Sequence, residues 1–103
     1  MIIYEFSTWG TKYGELFRIS AIEVEEKPKT YIESVHRTRI PKNEINILSR
    51  SYGNRMYRLD DNPAPYIEAI IKRKNEHIEA LEKRVISEKE ELTKWLEAQR
   101  EIK

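Results

Sequence analysis

The stretch Asp60–Lys103, DDNPAPYIEAIIKRKNEHIEALEKRVISEKEELTKWLEAQREIK, decides how this chain is read. Asp60-Asp61-Asn62-Pro63 is a helix start: Asp61 or Asn62 can accept from free backbone N–H groups, and Pro63 fits where no donor is needed. After Pro65 there is no Gly or Pro for the remaining 38 residues. Glu68/Lys72, Glu79/Lys83 and Glu90/Lys94 are i,i+4 pairs in the favourable order. Such a helix runs roughly 55 Å. The body in front of it, ~60 residues, is only about 25–30 Å across. The predicted helix must therefore overhang that body, bend, or pack on something else.

Alternate steps of four and three from Ile67 give a seam of eleven positions, eight of them apolar. These are Ile67, Ile71, Ile78, Leu81, Val85, Leu92, Trp95 and Ile102; Lys74, Glu88 and Gln99 interrupt. Two packed helices need such a seam, and polar interruptions can set its register. From Ile67 to Val85 the first reading is packing across the chain's own sheet. From Leu92 to Ile102 the sheet cannot reach, and Trp95 is a large apolar group to leave in water. That part calls for a partner helix, from a second copy or another protein. The candidate helix interface is Ile78, Leu81, Val85, Leu92, Trp95 and Ile102. Ser87-Glu88-Lys89-Glu90 matches a capping box, so a break there stays open.

Residues 1–62 read as an antiparallel sheet of three to four strands, and 63–103 as a long amphipathic helix packed partly on it. The fold class is α+β, in a single domain. Ile2, Tyr4 and Phe6 alternate with Ile3, Glu5 and Ser7, as in a half-buried strand. In Glu15–Glu25, Phe17 and Ile19 share one parity while Ile22 and Val24 share the other, which predicts a bulge near Ser20–Ala21. Pro28 marks a turn over Glu26–Lys29. Thr30–Ile40 reads as a third strand, ended by Pro41 with one or two helical turns after it. Gly53-Asn54 is a turn, and Arg55–Leu59 a last short strand.

The 103 residues and 12.4 kDa carry a net charge of +1, but the charge is segregated. Residues 1–36 are net −2, 37–58 net +5 and 63–103 neutral. Overall neutrality argues against coating a polyanion and leaves room for one basic patch. The candidate partner-binding residues there are Arg37, Arg39, Arg50, Tyr52, Arg55, Tyr57 and Arg58. Arginine forks with interleaved tyrosines suit phosphates and bases, and equally a carboxylate-rich protein surface. A solvated face paired to Glu23, Glu25 and Glu33 is the third reading.

The inventory speaks against catalysis. There is no cysteine, and His36 and His77 are the only histidines. No metal-ligand spacing such as H-E-x-x-H occurs, so neither metal nor cofactor is called for. Gly10-Thr11-Lys12-Tyr13-Gly14 lacks the end of a phosphate loop and reads as a turn. His36 reads as an exposed strand residue and His77 as a packed one. No stretch approaches the length of a membrane span, so a soluble cytoplasmic protein is expected.

The strand run Ile22-Glu23-Val24-Glu25-Glu26-Lys27-Pro28-Lys29-Thr30-Tyr31-Ile32, the Tyr57-Arg58-Leu59 strand and the capped, charged helix together resemble small accessory proteins of phages and prophages of low-GC Gram-positive bacteria. Anti-CRISPR and other anti-defence proteins are among these. The resemblance implies a binding protein in the cytoplasm of the bacterial host. Its partner would be a larger protein machine, such as a CRISPR or other defence nuclease, blocked by occupancy rather than by chemistry. Two alternatives stand beside it. One is a dimeric nucleic-acid-binding regulator using the basic segment; the other is a coiled-coil structural assembly protein.

Overall fold

The structure, a computed structural model, describes residues 1–102, with the side chains of residues 51 and 52 also left out of the description. Its strands are β1 (Ile2–Ser7), β2 (Arg18–Glu26), β3 (Thr30–Glu33), β4 (Arg39–Pro41) and β5 (Met56–Arg58). A 3-10 turn at Lys42–Glu44 and a single helical turn α1 (Ser51–Asn54) precede β5, and α2 (Ala64–Glu101) follows it. The fold is α+β: one antiparallel sheet in the order β4-β3-β2-β1-β5, and one long helix.

Five strands form where three to four are read from the sequence. The difference lies in Thr30–Ile40, which is a hairpin and not one strand. Arg37 takes a left-handed φ of 59° and its N–H donates to Glu33 O at 3.0 Å, turning the chain between β3 and β4. Arg37 thus sits in a turn and does not share a strand face with Arg39. The β2–β3 turn falls over Lys27–Lys29, where Lys27 N–H donates to Thr30 O.

The expected bulge is absent. β1 and β2 pair without interruption from Ile2↔Glu23 to Ser7↔Arg18. The parity change has a different cause: both faces of the sheet are covered. On one face Ile3, Val24, Tyr31, Ile40 and Tyr57 form a core, with Ile22 and Ile45 against it. On the other, Phe6, Met56 and Tyr66 pack with Tyr4, Phe17, Leu48, Ala69 and Ile70. An unbroken strand sends alternate side chains to opposite faces, so β1 serves one core with Ile3 and the other with Phe6.

The sheet curls around the first core. Ile40 and Tyr57 belong to opposite edge strands yet share that cluster. Ile45 bridges Tyr57, and Asn46 N–H donates to Tyr57 O at 2.8 Å, so the segment after β4 runs along β5. This covers an edge that would otherwise offer free backbone groups.

Chain contacts divide the molecule into residues 1–70 and 71–103. The first unit takes in the opening turns of α2. Asn62 Oδ1 accepts from Ala64 N–H at 3.1 Å, as its cap position predicts. Tyr66 is 1% exposed, its ring 5.4 Å from those of Phe6 and Phe17. Its hydroxyl donates to Asn54 O at 2.7 Å. The residues that dock the helix are therefore Tyr66, Ala69 and Ile70, beside the heptad seam and not on it. The second unit is the rest of α2, which runs unbroken through Ser87.

Candidate functional site

The predicted helix interface stays uncovered. Ile78, Leu81 and Val85 are each about half exposed (46–51%), Leu92 57%, Trp95 68% and Ile102 85%. Within residues 1–70 it is Tyr66, Ala69 and Ile70 that pack against Phe6 and Met56 of the sheet. Leu81, Val85 and Leu92 line one shallow groove with the stems of Arg84, Glu88 and Lys89. A second groove next to it is lined by Ile78, Leu81, Glu82, Val85 and Ile86. His77, read as a packed side chain, is exposed. Monomeric soluble proteins rarely leave an apolar stripe this continuous in water.

Arg37 and Arg58 are tied to separate partners. Arg37 lies 3.7 Å from Glu25, whose carboxyl also takes a 2.8 Å bond from Lys27. That bond, then the Lys27 charge, holds Glu25 below its ordinary carboxylate range. Arg39 is exposed on the edge strand β4, and Arg50 is exposed just before α1. Arg58 is a bracing residue, its side chain 14% exposed. Its Nε and Nη2 donate to the two oxygens of Asp60 at 3.1 and 3.2 Å, and Nη1 to Asn46 Oδ1 at 2.9 Å. The Arg58 hydrogen bond is the main reason that Asp60 is held low. Arg55 stacks over the Tyr57 ring at 4.9 Å. Tyr52 falls outside the described side chains. Of the expected glutamate pairings, Arg37–Glu25 is present.

Tyr57 is buried between β1 and the 45–49 segment. Burial first, and then the neighbouring Glu5, push its phenol up to about 12. Tyr57 thus holds its proton more tightly than an ordinary tyrosine.

Sequence reading passed over one concavity. Glu5, Ser7, Arg18 and Ser20 continue the first core's face along β1 and β2, where that face turns polar. With Trp9 and Arg55 they line a recess of about 210 Å³. Arg55 also borders a second recess of about 290 Å³, with Glu44, Ile47, Ser49 and Tyr57. The β1–β2 connection over the first recess leaves Trp9 69% exposed and Leu16 86%. The available signal was a tryptophan directly before the Gly10–Gly14 turn, flanked by no other apolar residue. No group of His, Asp or Glu among the described residues could hold a metal ion, and no helix there is long and apolar enough to cross a membrane. Comparison with protein-family models, curated proteins and solved structures finds no match to this chain.

Proposed function

We propose that this chain is a non-enzymatic binding protein whose working surface is the apolar stripe of α2. The most specific form of this reading is an inhibitor or adaptor that occupies a surface of a larger protein assembly in a bacterial cytoplasm, as phage accessory proteins do. The observation that carries it is the exposure of Ile78, Leu81, Val85, Leu92 and Trp95 along one helix face. Burying one such side chain is worth about 1.5–3 kcal/mol, so five in register suffice for a specific complex. The basic segment supports a nucleic-acid reading less well. Arg37 and Arg58 each have a carboxylate partner already.

Affinity purification from a bacterial host lysate tests this, comparing the wild-type chain with a Leu81→Glu/Leu92→Glu variant. Both side chains are about half exposed or more, so the variant keeps the sheet body intact. A protein partner that survives nuclease treatment and is lost with the variant is the expected result. A partner released by nuclease favours the nucleic-acid regulator. Undiminished capture by the variant removes the stripe as the working surface.

A further inference from the structure

We infer that the occupant of the α2 stripe is a second copy of this chain, running antiparallel, in one register centred between Ile86 and Ser87. This deepens the proposed function and rests on its reading of the stripe as an interface. The argument is the order of polar and apolar residues along the seam, together with the charges that flank it.

In an antiparallel pair each a position of one helix faces a d position of the other. Here a is Ile71, Ile78, Val85, Leu92 and Gln99; d is Lys74, Leu81, Glu88, Trp95 and Ile102. Reflection about the point between Ile86 and Ser87 sets Ile78 against Trp95 of the second copy, and Leu81 against Leu92. It sets Ile71 against Ile102 and polar Lys74 against polar Gln99. Val85 against Glu88 is the one mixed layer. Sliding one heptad either way is worse. In one direction Ile78 meets Glu88 and Lys74 meets Leu92; in the other Leu81 meets Gln99 and Glu88 meets Leu92. A parallel, in-register pair stacks Lys74 on Lys74 and Glu88 on Glu88, placing like charges in the seam.

The flanks agree with the seam. Antiparallel helices oppose g to g and e to e, whereas parallel helices oppose g to the next e. The antiparallel register sets Arg84 against Glu91 of the second copy and Glu82 against Lys89, and the two-fold axis repeats both attractions. The parallel pair sets Arg84 against Lys89, which repel, and relieves this with His77 against Glu82. Specificity of this kind comes as much from what the rejected arrangement places together as from what the chosen one gains. The seam runs from Ile71 to Ile102, one residue past the end of α2, and so lies within the second unit, residues 71–103.

Sedimentation equilibrium on the full chain and three charge variants tests the inference. The wild type should sediment at about twice 12.4 kDa. Arg84→Glu places two like-charge pairs across the antiparallel interface and should weaken the dimer about tenfold. Glu91→Arg alone should do the same, and the double variant should return to within about twofold of wild type, since the exchange restores both pairs. Far-UV circular dichroism at matched concentration checks that each variant is folded. A parallel dimer predicts the opposite sign, with Arg84→Glu tightening association to Lys89, and that result overturns the inference. A wild-type chain still monomeric at roughly 0.1 mM, where even a Kd of about 10 µM would populate dimer, also overturns it. The broader binding reading is separable: a monomer whose partner capture still depends on Leu81 and Leu92 keeps that reading and loses this one.

Discussion

Replacing Gly53 with alanine should destabilise the body by about 3 kcal/mol, and the reason is local. Gly53 has φ +67°, a conformation that costs an L side chain roughly 1–2 kcal/mol. A Cβ there would sit 2.6 Å from Thr8 Oγ1 and 2.7 Å from the Trp9 backbone nitrogen. The hydroxyl can rotate away, but the Trp9 nitrogen belongs to the backbone and moves only with its neighbours. Moving it strains the bond from Thr8 N–H to Gly53 O, 2.8 Å long, and the Thr8 hydroxyl bond to that carbonyl. Losing one such bond costs about 1 kcal/mol, and overpacking a tight contact costs about 1–3 kcal/mol. Reduced freedom of the unfolded chain returns less than about 1 kcal/mol.

Gly14 is the control. Its φ is +89°, so it bears the same kind of backbone penalty, yet an added Cβ meets nothing within 4 Å. Gly14→Ala should cost about 1 kcal/mol. Urea unfolding of both variants at one protein concentration isolates the contact from the backbone conformation, because association contributes equally to both. The expected difference is about 2 kcal/mol, or roughly 8 °C in melting temperature for a chain of this size. Equal losses would refute the reasoning, because they would mean that the β1–β2 connection does not rest on α1 at Gly53.

Two further outcomes follow from the buried tyrosines. Tyr66→Phe removes the hydrogen bond to Asn54 O and should cost about 1 kcal/mol, whereas Tyr66→Ala empties the site beside Phe6 and should cost about 3–5 kcal/mol in urea unfolding; equal costs would refute the packing role. The Tyr57 phenol, at about 12 folded against 10.0 as an ordinary tyrosine, keeps its proton where the unfolded chain releases it. Its stabilising contribution is therefore full below about pH 10 and declines as pH rises toward 12. Tyr57→Phe should flatten that decline in urea midpoints measured across the window; an unchanged slope would show that Tyr57 does not titrate there.

Where a residue's structure follows from near neighbours, the sequence was enough to place it. The helix start at Asp60–Pro63 and the Pro28 turn depend on propensity and local hydrogen bonds and were legible, whereas the capping-box pattern at Ser87 left the continuity of α2 open. The bulge was a wrong inference from a correct observation. Ile19 and Ile22 do differ in parity, but periodicity within one strand cannot say whether the second face of a sheet is covered. That depends on Tyr66, Ala69 and Ile70 arriving from a distant part of the chain. Arg37 misled for another reason: β-like composition on both sides hid a left-handed turn at a residue that seldom adopts one. Among the partners of the basic segment, Asp60 lies two residues from Arg58, whereas Glu25 and Asn46 reach Arg37 and Arg58 only through the topology of the sheet. The Trp9 recess was illegible because Arg18 and Arg55 meet only once β1 pairs with both β2 and β5.

The distribution of burial gives α2 its significance. Among the described residues, every buried hydrophobic side chain lies between Ile3 and Tyr66. The first unit therefore has its own core on both sheet faces, while residues 71–102 bury no hydrophobic side chain. A helix without tertiary packing draws its stability from propensity and i,i+4 pairs, each worth only about 0.2–0.5 kcal/mol. Those terms suffice for a marginal helix in water, and they do not require Ile78, Leu81, Val85, Leu92 and Trp95 to fall on one face. Helix propensity would be served as well or better by alanine, glutamate or lysine at the Ile78, Val85 and Trp95 positions. A seam of large apolar groups at those places adds little to the single chain and exposes it to aggregation. What the seam does improve is association, where each layer removes two such groups from water at once. On the proposed dimer, folding of residues 71–102 and binding along their apolar face would be one coupled equilibrium, in which the second copy's helix supplies the packing that the sheet supplies to Tyr66.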